Sequence, residues 1–112
     1  MARAVEIRSY QLKPGRRGDF ARLMETQSLP MLRRWHVDVV ACRPSAHDRD
    51  AYVLIRAYVD LAEREASQEA FYGSDEWRTG PREAILAAIE TDTSIVLLLD
   101  EATIDGLRRA ID

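Results

Sequence analysis

The chain has 112 residues, of which 46% are hydrophobic and 31% are charged, and its formal net charge is −3 at pH 7. This length accommodates one domain, and the balance is typical of a folded globular protein. A negative net charge argues against a general nucleic-acid binder, because phosphate neutralisation requires a basic surface. The sequence has no apolar run long enough to cross a membrane, no apolar leader and only one cysteine, so we expect a cytoplasmic protein.

The first half of the chain predicts a strand, a helix and a second strand. Residues 4–12 alternate between apolar and polar side chains, as a strand with one apolar face does. A Pro-Gly turn follows at residues 14–15, and apolar residues at helical spacing then predict an amphipathic helix over residues 17–28. Pro30 should break or kink this helix before a short continuation. Alternation resumes over residues 36–43, which we predict to be the second strand.

The next segment predicts a third strand over residues 51–59, reached through a polar hairpin connection. Asp60 followed by Glu63 is a variant of the capping box and predicts a helix through about Phe71. The inward stripe of this helix is predicted to be small, which would allow close packing on a sheet: Ala62, Ala66 and Ala70.

A second helical segment and a last strand complete the pattern. Ser74 is the predicted N-cap of a helix that Gly80-Pro81 interrupts, and the strand over residues 93–99 is apolar on both faces. We place the domain at residues 1–100. The remainder, residues 101–112, is predicted to be a weakly amphipathic helical tail that is peripheral to the sheet and able to lie across a partner subunit. Its apolar residues are Ile104, Leu107 and Ile111.

The predicted order is βαββαβ, which is the order of a ferredoxin-like α+β fold with a four-stranded antiparallel sheet. Helices cover one face of such a sheet and leave the other bare. The residues predicted on the bare face are Tyr10, Val40, Tyr52, Leu54, Tyr58, Val96 and Leu98. This face is more apolar than a solvated face usually is, so we expect a second copy of the chain to cover it in a homodimer.

Three stretches resemble the NIPSNAP family. They are Val5–Gly15 (VEIRSYQLKPG), Gln27–Val40, and Phe71–Trp77 (FYGSDEW) followed by Gly80–Glu83 (GPRE). Together they span roughly residues 4–100. The resemblance implies a dimeric α+β barrel. That superfamily also contains cofactor-independent monooxygenases, haem-degrading enzymes, isomerases and binding proteins, so the resemblance implies the fold and not a particular activity.

Polar residues of the first three strands form the candidate site on the predicted inner sheet face. They are Glu6, Arg8, Tyr10, Asp38, Arg56 and Tyr58. The first and third strands are neighbours in the ferredoxin-like order, so four of these side chains are expected to converge. Arginine suits a carboxylate, enolate or phenolate, and a tyrosine hydroxyl can donate to a developing oxyanion. The alternative is an Arg–Glu or Arg–Asp network that fixes the dimer register without touching a ligand.

Three residues are the candidates for a catalytic role: Asp38, His36 and Tyr10. No second histidine lies near His36 in sequence, and one isolated ligand does not make a metal site, so we expect no metal. Trp77 and Tyr72 are candidates to stack on a flat ligand at the mouth of a cavity, or to anchor a helix to the core. The sequence has no glycine-rich phosphate loop and no nucleotide-binding motif, and we expect no cofactor.

Three functions remain open from the sequence. The first is a homodimer that binds a small apolar or aromatic ligand with an anionic or carbonyl group, in a cavity between the two sheets. The second is a cofactor-independent monooxygenase or isomerase, in which Arg8 and Tyr10 stabilise an enolate and Asp38 or His36 takes the proton. The third is a structural, partner-binding protein. Neither nucleic acid nor membrane is an expected partner.

Overall fold

The computed structural model describes residues 1–111, with side chains through residue 110. The elements in chain order are β1 Ala2–Leu12, α1 Arg17–Leu23, α2 Leu29–Arg34, β2 Asp38–Pro44, β3 Ala51–Tyr58, α3 Leu61–Tyr72, α4 Asp75–Thr79, α5 Arg82–Ala88, β4 Ile89–Asp100 and α6 Glu101–Ile111. The four strands form one antiparallel sheet in the order β2-β3-β1-β4. The predicted ferredoxin-like α+β fold is confirmed, and α6 follows it.

A π-helical turn over Met24–Ser28 joins α1 to α2. In this turn the N–H of Leu29 donates to the carbonyl of Met24, five residues back. Pro30 then lies in the first turn of α2, where it has no N–H to continue the hydrogen-bond ladder of the preceding turn. The interruption predicted at Pro30 is therefore a local widening of the helix, and the widened turn directs Ser28 into the interior, where it is 3% exposed.

The helices cover the sheet face that carries the even-numbered residues of β1 and β3. Phe20 of α1 packs between Tyr10 and Tyr52, with ring centroids 5.0 and 5.2 Å apart. Leu54 and Tyr58 are buried in the same core. The prediction that these four strand residues lie on the bare face is therefore wrong. Alternation groups side chains correctly by face, but both faces of these strands are apolar, so alternation does not show which group the helices cover.

The opposite side of the sheet, which we call the open face, has a smaller core of its own with α6. Its buried members are Val5, Val40, Ala41, Ile55, Ala57 and Ile104. A register shift between Val39 and Ala41 places Val40 in this core. The two β4 residues predicted on the bare face do not belong to it, since Val96 packs against the helix-side core and Leu98 is 64% exposed.

Helix α6 is an integral part of the subunit, contrary to the prediction that it is peripheral. Ile104 is fully buried against the open face. Arg108 donates to the carbonyl of Val39 over 3.2 Å and to the carboxylate of Asp38 over 2.7 Å. These contacts fasten α6 to the edge strand β2. The side chain of Ile111 and all of Asp112 lie outside the described residues.

Helix α3 packs on the sheet with a different side from the predicted one. The alanines of the predicted inward stripe are exposed: Ala62, Ala66 and Ala70. The side that meets the sheet carries Arg64, Gln68, Phe71 and Tyr72, of which three are polar. Polar side chains are tolerated at such a place only when they have partners, and the sheet provides one in Glu6.

Candidate functional site

The polar centre of the subunit is Glu6, a β1 side chain with no exposure to solvent. Five side chains donate hydrogen bonds to its carboxylate: Arg8, Arg56, Arg64, Gln68 and Ser94. Burial by itself would raise the pKa of Glu6. Attraction to Arg56 and Arg8, with the hydrogen bonds, outweighs burial and lowers the pKa to about 2. Glu6 is therefore ionised at neutral pH and joins four elements, its own strand β1 with β3, β4 and α3.

Two guanidinium groups meet at one hydroxyl on α3. Arg56 Nη1 donates to Tyr72 Oη over 2.7 Å, and Arg8 Nη1 donates to the same oxygen over 3.4 Å. The guanidinium carbons of Arg56 and Arg8 lie 5.7 and 5.8 Å from the centroid of the Tyr72 ring. Since the two arginines occupy the acceptor positions of this hydroxyl, its O–H remains available as a donor to a third group.

The cluster around Glu6 has more positive than negative charge. Arg8, Arg56 and Arg64 all pair with this one carboxylate. The Arg56 side chain is 1% exposed, whereas that of Arg8 is 20% exposed. Arg56 is thus enclosed in the subunit, and Arg8 connects the network to solvent. A surplus of partly desolvated positive charge favours an anion at this place.

A cavity of about 320 Å³ opens beside Arg8, between the sheet and helices α4 and α5. Its lining residues are Arg8, Tyr10, Tyr72, Trp77, Arg82, Ile85, Leu86, Ile89 and Asp92. Apolar walls with a few convergent polar groups are usual for a small-molecule site. The sequence predicted a cavity between the sheets of two subunits. This cavity instead lies within a single subunit, because the face that carries Arg8 and Tyr10 is the one that the helices cover.

Two further predicted site residues, Tyr10 and Trp77, line this cavity, and a third, Tyr58, lies in the network around Glu6. Burial raises the pKa of Tyr10, so its hydroxyl is a neutral donor at physiological pH. Tyr58 is buried and accepts a hydrogen bond from Gln68 over 3.2 Å, so it helps to position Gln68, which also donates to Glu6. Trp77 lines the cavity and also packs edge-on against Tyr72, with centroids 5.2 Å apart.

Asp38 does not belong to this site, contrary to the prediction. It pairs in register with Ala57 on the open face, where Arg3 and Arg108 bind it over 3.1 and 2.7 Å. Burial favours a higher pKa for Asp38, but the hydrogen bonds from Arg108 and Arg3 hold its pKa below the usual value. Asp38 anchors α6 and cannot reach a ligand in the cavity.

His36 is also separate from the site. It is exposed and has a φ of 61°, in the left-handed region. The N–H of His36 donates to the Arg33 carbonyl and the N–H of Val37 to the Leu32 carbonyl, which is the Schellman pattern that ends a helix. His36 therefore terminates α2, and its imidazole is not directed at the cavity.

Sequence reasoning missed the helix side of the Glu6 network. Arg64, Gln68 and Tyr72 follow one another at four-residue spacing on α3, which places them along one side of the helix. This polar stripe was the available signal. The alanines of the same helix have the same spacing, and the usual rule that small or apolar residues face a sheet favoured the wrong stripe.

A wider depression of about 740 Å³ lies between the turn before α1 and the connection from β2 to β3. It is open to solvent, and none of the predicted site residues lines it. We therefore assign the candidate site to the cavity beside Arg8, which several of the predicted site residues line. Among the described residues, no group of three or more histidine, cysteine or acidic side chains is arranged to hold a metal ion.

A four-stranded antiparallel sheet with α1 to α5 on one face, and a cavity between the two layers, defines a ferredoxin-like α+β protein. The family model described as NIPSNAP matches residues 5–101. The chain belongs to the NIPSNAP family. No curated protein sequence matches it.

Solved structures similar to this chain have the same fold. A NIPSNAP-like domain protein from Burkholderia xenovorans is 21% identical, with 88% of this chain and 86% of that chain covered and a TM-score of 0.80. A NIPSNAP family protein with unknown function from Agrobacterium tumefaciens is 20% identical, with 86% of each chain covered and a TM-score of 0.78. A candidate antibiotic biosynthesis monooxygenase from Nitrosomonas europaea is 20% identical, with 84% and 95% covered and a TM-score of 0.62.

None of the helices in residues 1–111 has the length and apolar character needed to span a membrane.

Proposed function

We propose that the chain binds a small apolar or aromatic ligand with a carboxylate, phenolate or enolate group, in the cavity between sheet and helices. The observation that carries the proposal is Arg8, which lines a largely apolar cavity and donates to the Tyr72 hydroxyl together with the buried Arg56. A planar guanidinium recognises such oxyanions through two parallel hydrogen bonds.

The electrostatics support an anionic ligand over a neutral one. Glu6 neutralises one of the three arginines around it, which leaves an excess of positive charge beside the cavity. Arg82 and Asp92 also line the cavity, but both are exposed and their charges are opposite, so together they add little net charge. An anion that enters beside Arg8 would gain charge-assisted hydrogen bonds from Arg8 and from the O–H of Tyr72.

Binding is supported better than turnover. A proton-abstracting reaction needs a base within hydrogen-bond reach of the substrate. Both candidate bases from the sequence, Asp38 and His36, lie away from the cavity, and Tyr10 has a raised pKa that disfavours its phenolate. The likeness to a candidate monooxygenase extends to the fold and provides no catalytic group.

The experiment is a titration of the protein with sodium benzoate, phenylacetate and 3-phenylpropanoate, each compared with its neutral amide. Binding is followed by chemical-shift changes of cavity residues or by calorimetry. We expect an acid to bind more tightly than its amide, and Arg8→Met to weaken acid binding about tenfold to a hundredfold. Removing a charged hydrogen bond costs roughly 1.5–3 kcal/mol, and the substitution keeps most of the side-chain volume.

The matched control is Arg16→Met, since Arg16 makes an exposed ion pair with Asp19 and does not line this cavity. Arg16→Met should bind the acids as the wild type does. Equal binding of acids and amides, or wild-type binding by Arg8→Met, would contradict the proposal. The network around Glu6 would then be structural.

We also propose that two copies of the chain associate through their open faces. Ile95 and Leu97 project from β4 on this face, opposite Ile7 and Val5, and are 58% and 40% exposed. They lie beside the core formed with α6 and continue its apolar surface along a strand at the edge of the sheet. An exposed apolar edge strand is a hazard for an isolated subunit, and a second copy would cover it.

A further inference from the structure

A small recess adjoins the ligand cavity on the side of the π-helical turn. Its volume is about 20 Å³, and it shares four lining residues with the cavity, Tyr10, Tyr72, Trp77 and Ile85. The rest of its wall is mostly apolar and comes from Met24, Leu32, Leu54 and Phe71, with Ser28 as the additional polar residue. A space of this size accommodates one small polar group, such as a hydroxyl.

Ser28 is the unusual member of this wall. Its residue is 3% exposed, and its Oγ makes no hydrogen bond to any other group among the described residues. A serine or threonine inside a helix normally donates to the carbonyl four residues back, as Thr26 does to Arg22 over 2.6 Å. Ser28 makes no such bond, and a buried polar group without a partner is rare in folded proteins.

The backbone explains how Ser28 reaches this place. It is the last residue of the π-helical turn, in which the hydrogen bonds run to the fifth residue back rather than the fourth. Such turns are energetically poor and are frequent at functional sites. Here the extra residue before Pro30 rotates the Ser28 side chain into the apolar recess, next to the two tyrosines that line the cavity.

We infer that Ser28 is a specificity-determining residue that receives a polar group at the distal end of the ligand. This inference rests on the proposed function and narrows its ligand class. The ligand has an oxyanion that pairs with Arg8, an apolar or aromatic body that lies against Trp77 and Ile85, and a hydroxyl or carbonyl that enters the recess. The Ser28 hydroxyl donates to that group or accepts from it.

The test compares each parent acid, benzoate, phenylacetate and 3-phenylpropanoate, with its 4-hydroxy counterpart. The measured quantity is the ratio of the two dissociation constants in the wild type and in Ser28→Ala. For the acid whose length matches the cavity, we expect the wild type to prefer the 4-hydroxy form roughly twofold to tenfold, the usual effect of one neutral hydrogen bond. In Ser28→Ala this ratio should fall to about one, with unchanged affinity for the parent acid.

Thr26→Ala is the matched control, because Thr26 lies in the same turn but is exposed and should leave the ratio unchanged. Ser28→Ala removes an oxygen without a protein partner, so its melting temperature should not fall. The inference is overturned if no 4-hydroxy acid is preferred by the wild type, or if Ser28→Ala keeps the preference. If the parent acids themselves fail to bind, the proposed function fails and this inference fails with it, which is a separate and recognisable result.

Discussion

At the scale of single residues, the ionisation of Glu6 determines how the buried polar network contributes to the stability of the fold. Its carboxylate has five donors and a pKa of about 2, against an ordinary value of 4.5. A carboxyl whose pKa is lower in the folded state stabilises the fold above its unfolded pKa and loses that contribution as pH falls through its folded pKa. The stabilisation from Glu6 is thus complete above about pH 4.5 and disappears toward pH 2.

We expect Glu6→Gln to reduce both the stability at neutral pH and the acid sensitivity of the protein. Arg56 would lose its buried counter-charge, and breaking a buried pair costs about 3 kcal/mol of unfolding free energy. Between about pH 4.5 and pH 2, the unfolding free energy of the variant should fall less than that of the wild type, because the Glu6 carboxylate no longer contributes to the loss. Urea denaturation at pH 7 and at pH 3 measures both effects.

The control for this prediction is Glu101→Gln. Glu101 pairs with Arg3 at the surface, where its side chain is 60% exposed, and exposed ion pairs contribute little to stability. We expect a change well below 1 kcal/mol for this variant at pH 7. A Glu6→Gln variant as stable as Glu101→Gln would show that the buried network does not depend on the charge of Glu6.

At the scale of elements, the end of α2 is determined by one residue in an uncommon conformation. His36 takes a φ of 61° because the Schellman pattern requires a left-handed residue at this position. A side chain in this region is strained, whereas glycine adopts it freely.

We therefore expect His36→Gly to stabilise the protein by about 0.5–1 kcal/mol. The substitution relieves the backbone strain at this position, and the larger conformational entropy of glycine in the unfolded chain offsets part of that gain. Thermal unfolding measures the change, and binding of aromatic acids should be unaffected. Gly15→Ala is the opposite case, since Gly15 has a φ of 78° and should lose stability when replaced. A destabilised His36→Gly would indicate that the imidazole itself contributes contacts.

Helix α6 provides the buried contacts of the open face. Ile104 is fully buried there, and Leu107 is half-buried in the same cluster. We expect Ile104→Ala to cost about 2–4 kcal/mol of unfolding free energy, because truncating a fully buried aliphatic side chain loses apolar contact and leaves a cavity. Leu107→Ala should cost clearly less. Urea denaturation measures the unfolding free energy of both variants. Equal, small losses would support the prediction that α6 is peripheral.

At the scale of the whole molecule, the proposed homodimer depends on the exposed apolar part of β4. We expect Ile95→Asp to give a folded monomer by light scattering, because a charge at the centre of an apolar interface would be buried without a partner. Leu61→Asp is the control, since Leu61 is similarly exposed, at 55%, but lies in the helical layer. A wild type that is monomeric at micromolar concentration would contradict the dimer.

Much of the fold could be predicted because it depends on local patterns. The strand and helix order follows from residue periodicity, and the capping pair Asp60 and Glu63 marks the start of α3 as predicted, with Glu63 N–H donating to Asp60 over 2.8 Å. Arg8 of β1 and Arg56 of β3 were correctly expected to converge, because the two strands are adjacent, and both side chains donate to the Tyr72 hydroxyl. The family resemblance was likewise found in the sequence and is shown by the family match over residues 5–101.

The sequence by itself determined which side chains of β1 and β3 share a face, since that follows from a period of two along an unbroken strand, whereas the register shift between Val39 and Ala41 breaks this period in β2. Only the tertiary structure decided which face the helices cover, because Tyr10 and Val5 are both apolar enough to be buried and each is buried, in different cores. The same packing places the cavity between the sheet and the helices of one chain and turns the polar stripe of α3 toward Glu6, while the register shift in β2 puts Asp38 on the face opposite Arg8. These outcomes depend on the packing of layers distant in sequence, which no local period encodes.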